Sequence, residues 1–161
     1  MQKPSNKPKN IGIIVPNLGA NQMGFFALNY VNNLVTQTNV DCTLFYEELV
    51  QPCTKPLCAT LNISEIWSFN GILISTTIDN TLFSIKSVAA KRKLFYVWDL
   101  EWIRRKKNYM YNLQAYQNIE LITRSFEYAR LLENYCNKKV KAIVPDFNLY
   151  GILEYVEKND G

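Results

Sequence analysis

Short unbroken apolar runs along the chain alternate with stretches in which apolar residues recur every three or four positions. The first run, Ile11 to Val15, is largely β-branched and lies between Asn10 and Pro16, the pattern of a strand buried on both faces. From Gly24 onward, Ala27, Tyr30, Val31 and Leu34 fall at i, i+3, i+4 and i+7, which predicts a helix with one buried stripe, ended by Thr38 and Asn39. Thr43 to Tyr46 reads as the next strand, and Glu48 to Asn62, with Pro52 and Pro56, as a long loop. Gly71 to Ser75 repeats the buried-strand pattern, and Ile78, Leu82, Ile85 and Ala89 predict a following helix. Leu94 to Trp98 is a further strand, whereas Trp102 to Tyr116 is basic and aromatic without a clear helical face. Glu120 to Thr123 leads into a helix over Phe126 to Cys136, with Ser125 as N-cap and Glu127 in the first turn. Val140 to Val144 leads through Pro145 and Asp146 into a last helix from about Asn148 to Glu157.

Strands alternating with helices of about ten to fifteen residues imply right-handed crossovers and a mainly parallel sheet covered on both faces. The predicted fold is therefore α/β, a three-layer α/β/α Rossmann-like sandwich, spanning residues 10–158 after a basic tail at 1–9. Such sheets bind ligands at the carboxyl ends of their strands, near the point where strand order reverses. Residues just after strands are thus the first candidates for a site.

Composition narrows the chemistry. The 161 residues contain no histidine, which excludes Ser-His-Asp and Cys-His nucleophilic catalysis, His-ligated zinc and imidazole acid–base work. A net charge of +4 fits at most a local anion site. No apolar stretch approaches the roughly 18 residues of a membrane span, and the chain is expected to be cytoplasmic without a membrane span. Cys42, Cys53, Cys58 and Cys136 read as free thiols, with Cys53 and Cys58 (C-x4-C) as a thin alternative for a metal. No metal and no cofactor are expected.

After the first strand, PNLGANQMG offers Asn17, Gly19 and Gly24, whose backbone would let amides approach a ligand at a helix N-terminus. Neither G-x4-G-K-[ST] nor G-x-G-x-x-G is present, which disfavours phosphate-loop hydrolysis and dinucleotide binding. Glu47 and Glu48 then read as solvated loop carboxylates. After the strand ending at Trp98 come Asp99, Glu101 and Trp102. A carboxylate there acts as a general base or holds a sugar hydroxyl, and a tryptophan packs on a sugar ring. The structural alternative has Asp99 capping the next helix while Trp98 and Trp102 fill the core. The run Arg104 to Lys107 reads as a solvated face, or else as a patch for phosphate, nucleic acid or an acidic partner. Ser125 and Asp146 or Asn148 read as caps, with ligand contacts as the alternative, whereas capping gives Arg124 no role.

Four segments carry a family likeness: IGIIVPNLGANQMG, FYVWDLEW, LITRSFEYARLLENY and VKAIVPDFNLYGIL. Their order resembles the N-terminal half of a GT-B glycosyltransferase, over about residues 10 to 157. That resemblance implies an acceptor-binding Rossmann-like domain whose activated-sugar donor is held mainly by a second such domain, before which this chain ends. Many members of that family have a histidine in the central motif, where Trp98 and Asp99 stand here. The expected function is a glycosyltransferase-like single domain, either an acceptor- or partner-binding half or a reduced enzyme. Its ligands would be a nucleotide sugar or a sugar acceptor. If active, it would use Asp99 as base, with Glu101 second, and Asn17, Gly19, Trp98, Trp102, Arg124, Ser125 and Asp146 as ligand contacts. A homo-oligomer or a separate donor-binding protein would complete it, joined through an apolar patch of Leu149, Ile152, Leu153 and Val156 on the last helix. The alternatives are a protein- or nucleic-acid-interaction module and a small-nucleotide-binding protein. The preference for Asn, Lys, Tyr and Ile fits an AT-rich genome such as a phage's.

Overall fold

A computed structural model describes residues 9–160, so all but Lys9 of the predicted basic tail at 1–9 lies outside the described residues. The apolar runs form seven strands: β1 (Asn10–Val15), β2 (Asp41–Tyr46), β3 (Ala59–Asn62), β4 (Ile72–Ser75), β5 (Arg92–Val97), β6 (Glu120–Thr123) and β7 (Ala142–Ile143). They make one sheet in the order β3-β2-β1-β4-β5-β6-β7, with every neighbouring pair parallel. The central strands are buried on both faces, as their unbroken apolar sequence requires.

Helices α1 (Gln22–Gln37) and α5 (Leu149–Lys158) pack on one face, over Ile13, Leu44, Tyr96 and Ile122. Helices α2 (Ile78–Ile85), α3 (Tyr109–Gln117) and α4 (Phe126–Cys136) cover the other, over Phe95, Val97 and Leu121. A 3-10 helix, Ile63–Ser68, extends this second layer over Ile14 and Phe45. The result is a Rossmann-like three-layer α/β/α sandwich.

The structure departs from the sequence pattern in four places. The predicted loop from Glu48 to Asn62 ends in strand β3, an edge strand whose residues are mostly exposed and so carry no apolar run. Helix α2 stops at Ile85, leaving Ala89 beyond it. The segment without a clear face forms two 3-10 turns, Glu101–Ile103 and Lys106–Asn108, and then α3, whose buried residues are Asn112, Ala115 and Tyr116.

The fourth departure corrects an expectation about association. Leu149, Ile152, Leu153 and Val156 are not a surface patch, because α5 folds back beside α1 and buries them in the main core. The reversal is made at Pro145–Phe147, where Asp146 (φ 50°) and Phe147 (φ 54°) are successive left-handed residues. Tyr96 holds this turn from inside the sheet. Its hydroxyl donates to Val144 O at 2.5 Å and accepts from Phe147 N at 2.9 Å.

Candidate functional site

The chain leaves β1 towards β2 on one side and returns to β4 on the other, so strand order reverses between β1 and β4. Hydroxyl and amide side chains tie this point together. Thr76 donates its hydroxyl to Ile14 O at 2.7 Å, and Asn80 Oδ1 accepts the amides of Thr76 and Thr77, each at 3.0 Å. Above them opens a cleft of about 200 Å³. Pro16, Met23 and Trp98 give it apolar walls, Thr76 and Thr77 its hydroxyls, and Asp99, Glu101 and Arg104 its charged side.

Two helix N-termini reach this cleft, and both are capped from within the chain. At α1, Asn17 Oδ1 accepts Gly19 N at 3.0 Å and Asn21 Nδ2 at 2.8 Å, while Asn21 Oδ1 accepts Gly24 N at 2.8 Å. Gly19 and Gly24 are there for packing. A Cβ on Gly19 would lie 2.8 Å from Val50 Cγ1, and one on Gly24 would lie 2.8 Å from Asn17 O. At α2, Thr77 and Asn80 form a reciprocal capping box, and Glu101 Oε1 accepts Ile78 N at 2.9 Å.

The two carboxylates after β5 have different surroundings. Asp99 accepts Leu100 N at 2.9 Å and pairs with the exposed Arg104. It caps no helix, because the 3-10 turn that follows has Leu100 in the cap position and no side-chain cap. Burial pushes the Glu101 carboxyl up to about 7, while the Ile78 amide and Arg105 pull the other way. Behind it, Tyr116 OH and Asn112 Oδ1 are buried without a hydrogen-bond partner among the described residues. Burial raises the Tyr116 phenol strongly, and the nearby Glu101 charge adds to the shift.

The basic run does not act as one patch. Arg104 pairs with Asp99, and Arg105 grips Asp79 through both nitrogens, at 3.0 and 2.5 Å. That grip holds the Asp79 carboxyl below the usual carboxylate range. Within this run, Lys106 and Lys107 are exposed and make no ion pair with the described residues.

The remaining candidates share the rim but divide in role. Arg124 has its guanidinium 4.4 Å from the Trp98 ring centroid and braces that wall of the cleft. Trp102 turns away, stacked on Tyr135 at 4.4 Å and edge-on to Tyr116 at 5.6 Å, so it belongs to the packing between α3 and α4. Ser125 caps α4 by accepting Tyr128 N at 3.2 Å, and Asn148 rather than Asp146 caps α5. Asn17, Gly19 and Asp146 lie after β1 and β7 without lining the cleft. Sequence reading missed Met23, Thr76 and Thr77 as lining residues. Two threonines directly after a buried strand, four and three positions before Asn80, were the available signal.

Elsewhere, Cys42 and Cys58 are both desolvated, which pushes their thiols up to about 12 and about 11. Cys53 is exposed, and no group of three or more Cys, Asp or Glu side chains is gathered as a metal-ligand set among the described residues. No described helix is long and apolar enough to cross a membrane. The chain matches no family model, and no curated protein or solved structure is detectably similar to it.

Proposed function

We propose that the chain is the acceptor-binding half of a glycosyltransferase of the GT-B kind, holding a neutral sugar hydroxyl beside Glu101. The observation that carries this reading is the pairing of a carboxyl raised to about 7 with capped helix N-termini in the same cleft. A group that titrates near neutrality is matched to general-base work. The amides that would otherwise cradle a phosphate are occupied by Asn17, Asn21 and Glu101, so the cleft favours an uncharged polyol over a nucleotide diphosphate. Trp98, braced by Arg124, supplies the apolar wall on which the C–H face of a sugar packs.

In this reading Glu101 takes the proton of the acceptor hydroxyl as its oxygen attacks the anomeric carbon of a nucleotide sugar. The new C–O bond forms as the bond to the diphosphate breaks, and the electron pair leaves on the phosphate oxygen. The donor is held by a second protein or domain, because orientation across a closed cleft is worth about 7–11 kcal/mol of barrier and one wall cannot supply it. Asp99, tied to Arg104, positions the loop instead of accepting the proton. The same two ion pairs, Arg104 with Asp99 and Arg105 with Asp79, weigh against a nucleic-acid-binding module.

The test is copurification from the native cell followed by a transfer assay with nucleotide sugars. The chain alone is expected to be inert. The reconstituted complex is expected to turn over, and Glu101→Gln in that complex to abolish transfer while leaving assembly intact. Full transfer by the Glu101→Gln complex would overturn the assignment.

A further inference from the structure

We propose that Asp79 is a positioning residue that holds the Arg105 guanidinium away from Glu101, so that Glu101 is left without a cationic partner. The two carboxylates meet at one helix end. Glu101 Oε1 accepts the amide of Ile78, the first residue of α2, and Asp79 is the next residue along. Arg105 stands four positions after Glu101, and both its terminal nitrogens are engaged by Asp79, Nη1 with Oδ1 at 3.0 Å and Nη2 with Oδ2 at 2.5 Å. Tyr111 OH donates to the same Oδ1 at 3.2 Å, so a residue of α3 steadies the acceptor. The backbone of Arg105 is fixed as well: its carbonyl accepts Asn112 Nδ2 at 3.0 Å, and its amide donates to Trp102 O at 3.1 Å. Glu101 makes no ion pair among the described residues.

One guanidinium thus stands between two carboxylates, and three features decide for Asp79. A planar fork matched by both oxygens of one carboxylate is the stronger pairing, and Glu101 has Oε1 already committed to Ile78 N. Asp79 lies in the first turn of α2, where the helix dipole favours a negative charge. Burial keeps Glu101 partly protonated near neutral pH, whereas Asp79 stays ionised. The other ionisable groups facing this corner are Asp99, tied to Arg104, Tyr116 from α3, and Glu47 from the end of β2. None of the three is a cation, so Arg105 is the charge able to turn to Glu101 once Asp79 is lost. A guanidinium within about 4–6 Å lowers a carboxyl by roughly 1–3 pH units. For the function proposed above, on which this consequence rests, that would take the proton acceptor out of the neutral range.

Carbon-13 NMR of the full chain labelled at its glutamate carboxyls, with Glu101→Gln to assign the resonance, reads the Glu101 titration directly. Asp79→Asn is expected to lower the midpoint by about one pH unit or more. Arg105→Gln is expected to raise it by less than about half a pH unit in the wild type, where the guanidinium is engaged elsewhere, and by about one unit or more in the Asp79→Asn background. Competition for one guanidinium produces that difference, whereas fixed charges acting through space, or a merely structural role for Asp79, give the same increment in both backgrounds. The Thr77–Asn80 capping box remains in these variants, and Asp79→Ser gives the same reading should the amide disturb α2. An Arg105→Gln increment that is equal or smaller without Asp79, or a Glu101 midpoint unmoved by both Asp79 substitutions, would overturn the proposal. No sugar and no transfer enter this measurement, so the role of Glu101 as a base stands or falls separately, in the reconstituted complex.

Discussion

Glu101 Oε1 accepts the Ile78 amide at 2.9 Å, so a side chain from the turn after β5 finishes the N-terminus of a helix that follows β4. This contact fixes the carboxyl at the strand-order reversal. Burial then raises it to about 7, which brings its change of protonation near neutral pH. In the proposed function this sets the proton acceptor beside Trp98, the wall for an apolar sugar face.

Glu101 should leave a signature in stability against pH. Its folded value of about 7 lies above the ordinary 4.5, so between those values the native chain binds more protons than the unfolded one. The stability it contributes is full below about 4.5 and is lost as pH rises through 7. Melting temperatures measured across that interval should fall in the wild type and fall less in Glu101→Gln. Asp79 acts in the opposite sense: Arg105 lowers it, so its contribution is present above the ordinary carboxylate value and lost as pH drops.

Tyr96→Phe should destabilise the fold by about 1–3 kcal/mol, because Phe147 N is left buried without its acceptor. The two left-handed residues of that turn lose their internal anchor at the same time. Denaturant unfolding gives the value, and a change below the range would mean that the turn is held by other contacts.

Ser125→Ala should cost about 0.5–2 kcal/mol through loss of the α4 cap and leave ligand binding untouched. Asp99→Asn removes an ion pair whose arginine side chain is 70% exposed, and should cost no more than about 1 kcal/mol. Chemical denaturation of both variants, with sugar binding measured in parallel, separates these structural roles from a ligand contact.

The central strands were legible because burial on both faces leaves an unbroken apolar run, as in Ile11 to Val15 and Leu94 to Val97. Ser125 and Asn148 were legible as caps for an equally local reason. Strand β3 was not, since an edge strand with exposed faces needs no apolar residues, and α3 was hidden because it buries Asn112 and Ala115. In the site, sequence spacing brought out Asp99 and Glu101 together but ranked Asp99 first. The proposed function puts Glu101 first instead, on grounds that only the tertiary structure supplies: the Arg104 partner of Asp99, the Ile78 amide and the depth of burial. The last helix was placed correctly and its buried face misjudged, because the return at Asp146 and Phe147 depends on Tyr96, about fifty positions earlier.

The most direct measurement is a fluorescence titration of the purified chain, with Trp98→Phe as control, against a panel of neutral glycans and against nucleoside diphosphates. A neutral glycan is expected to change the Trp98 signal saturably and to bind more weakly to Glu101→Gln, while the nucleoside diphosphates leave the signal unchanged. Saturable binding of a nucleoside diphosphate in the cleft, with no response to any glycan, would contradict the assignment of this cleft to a sugar hydroxyl.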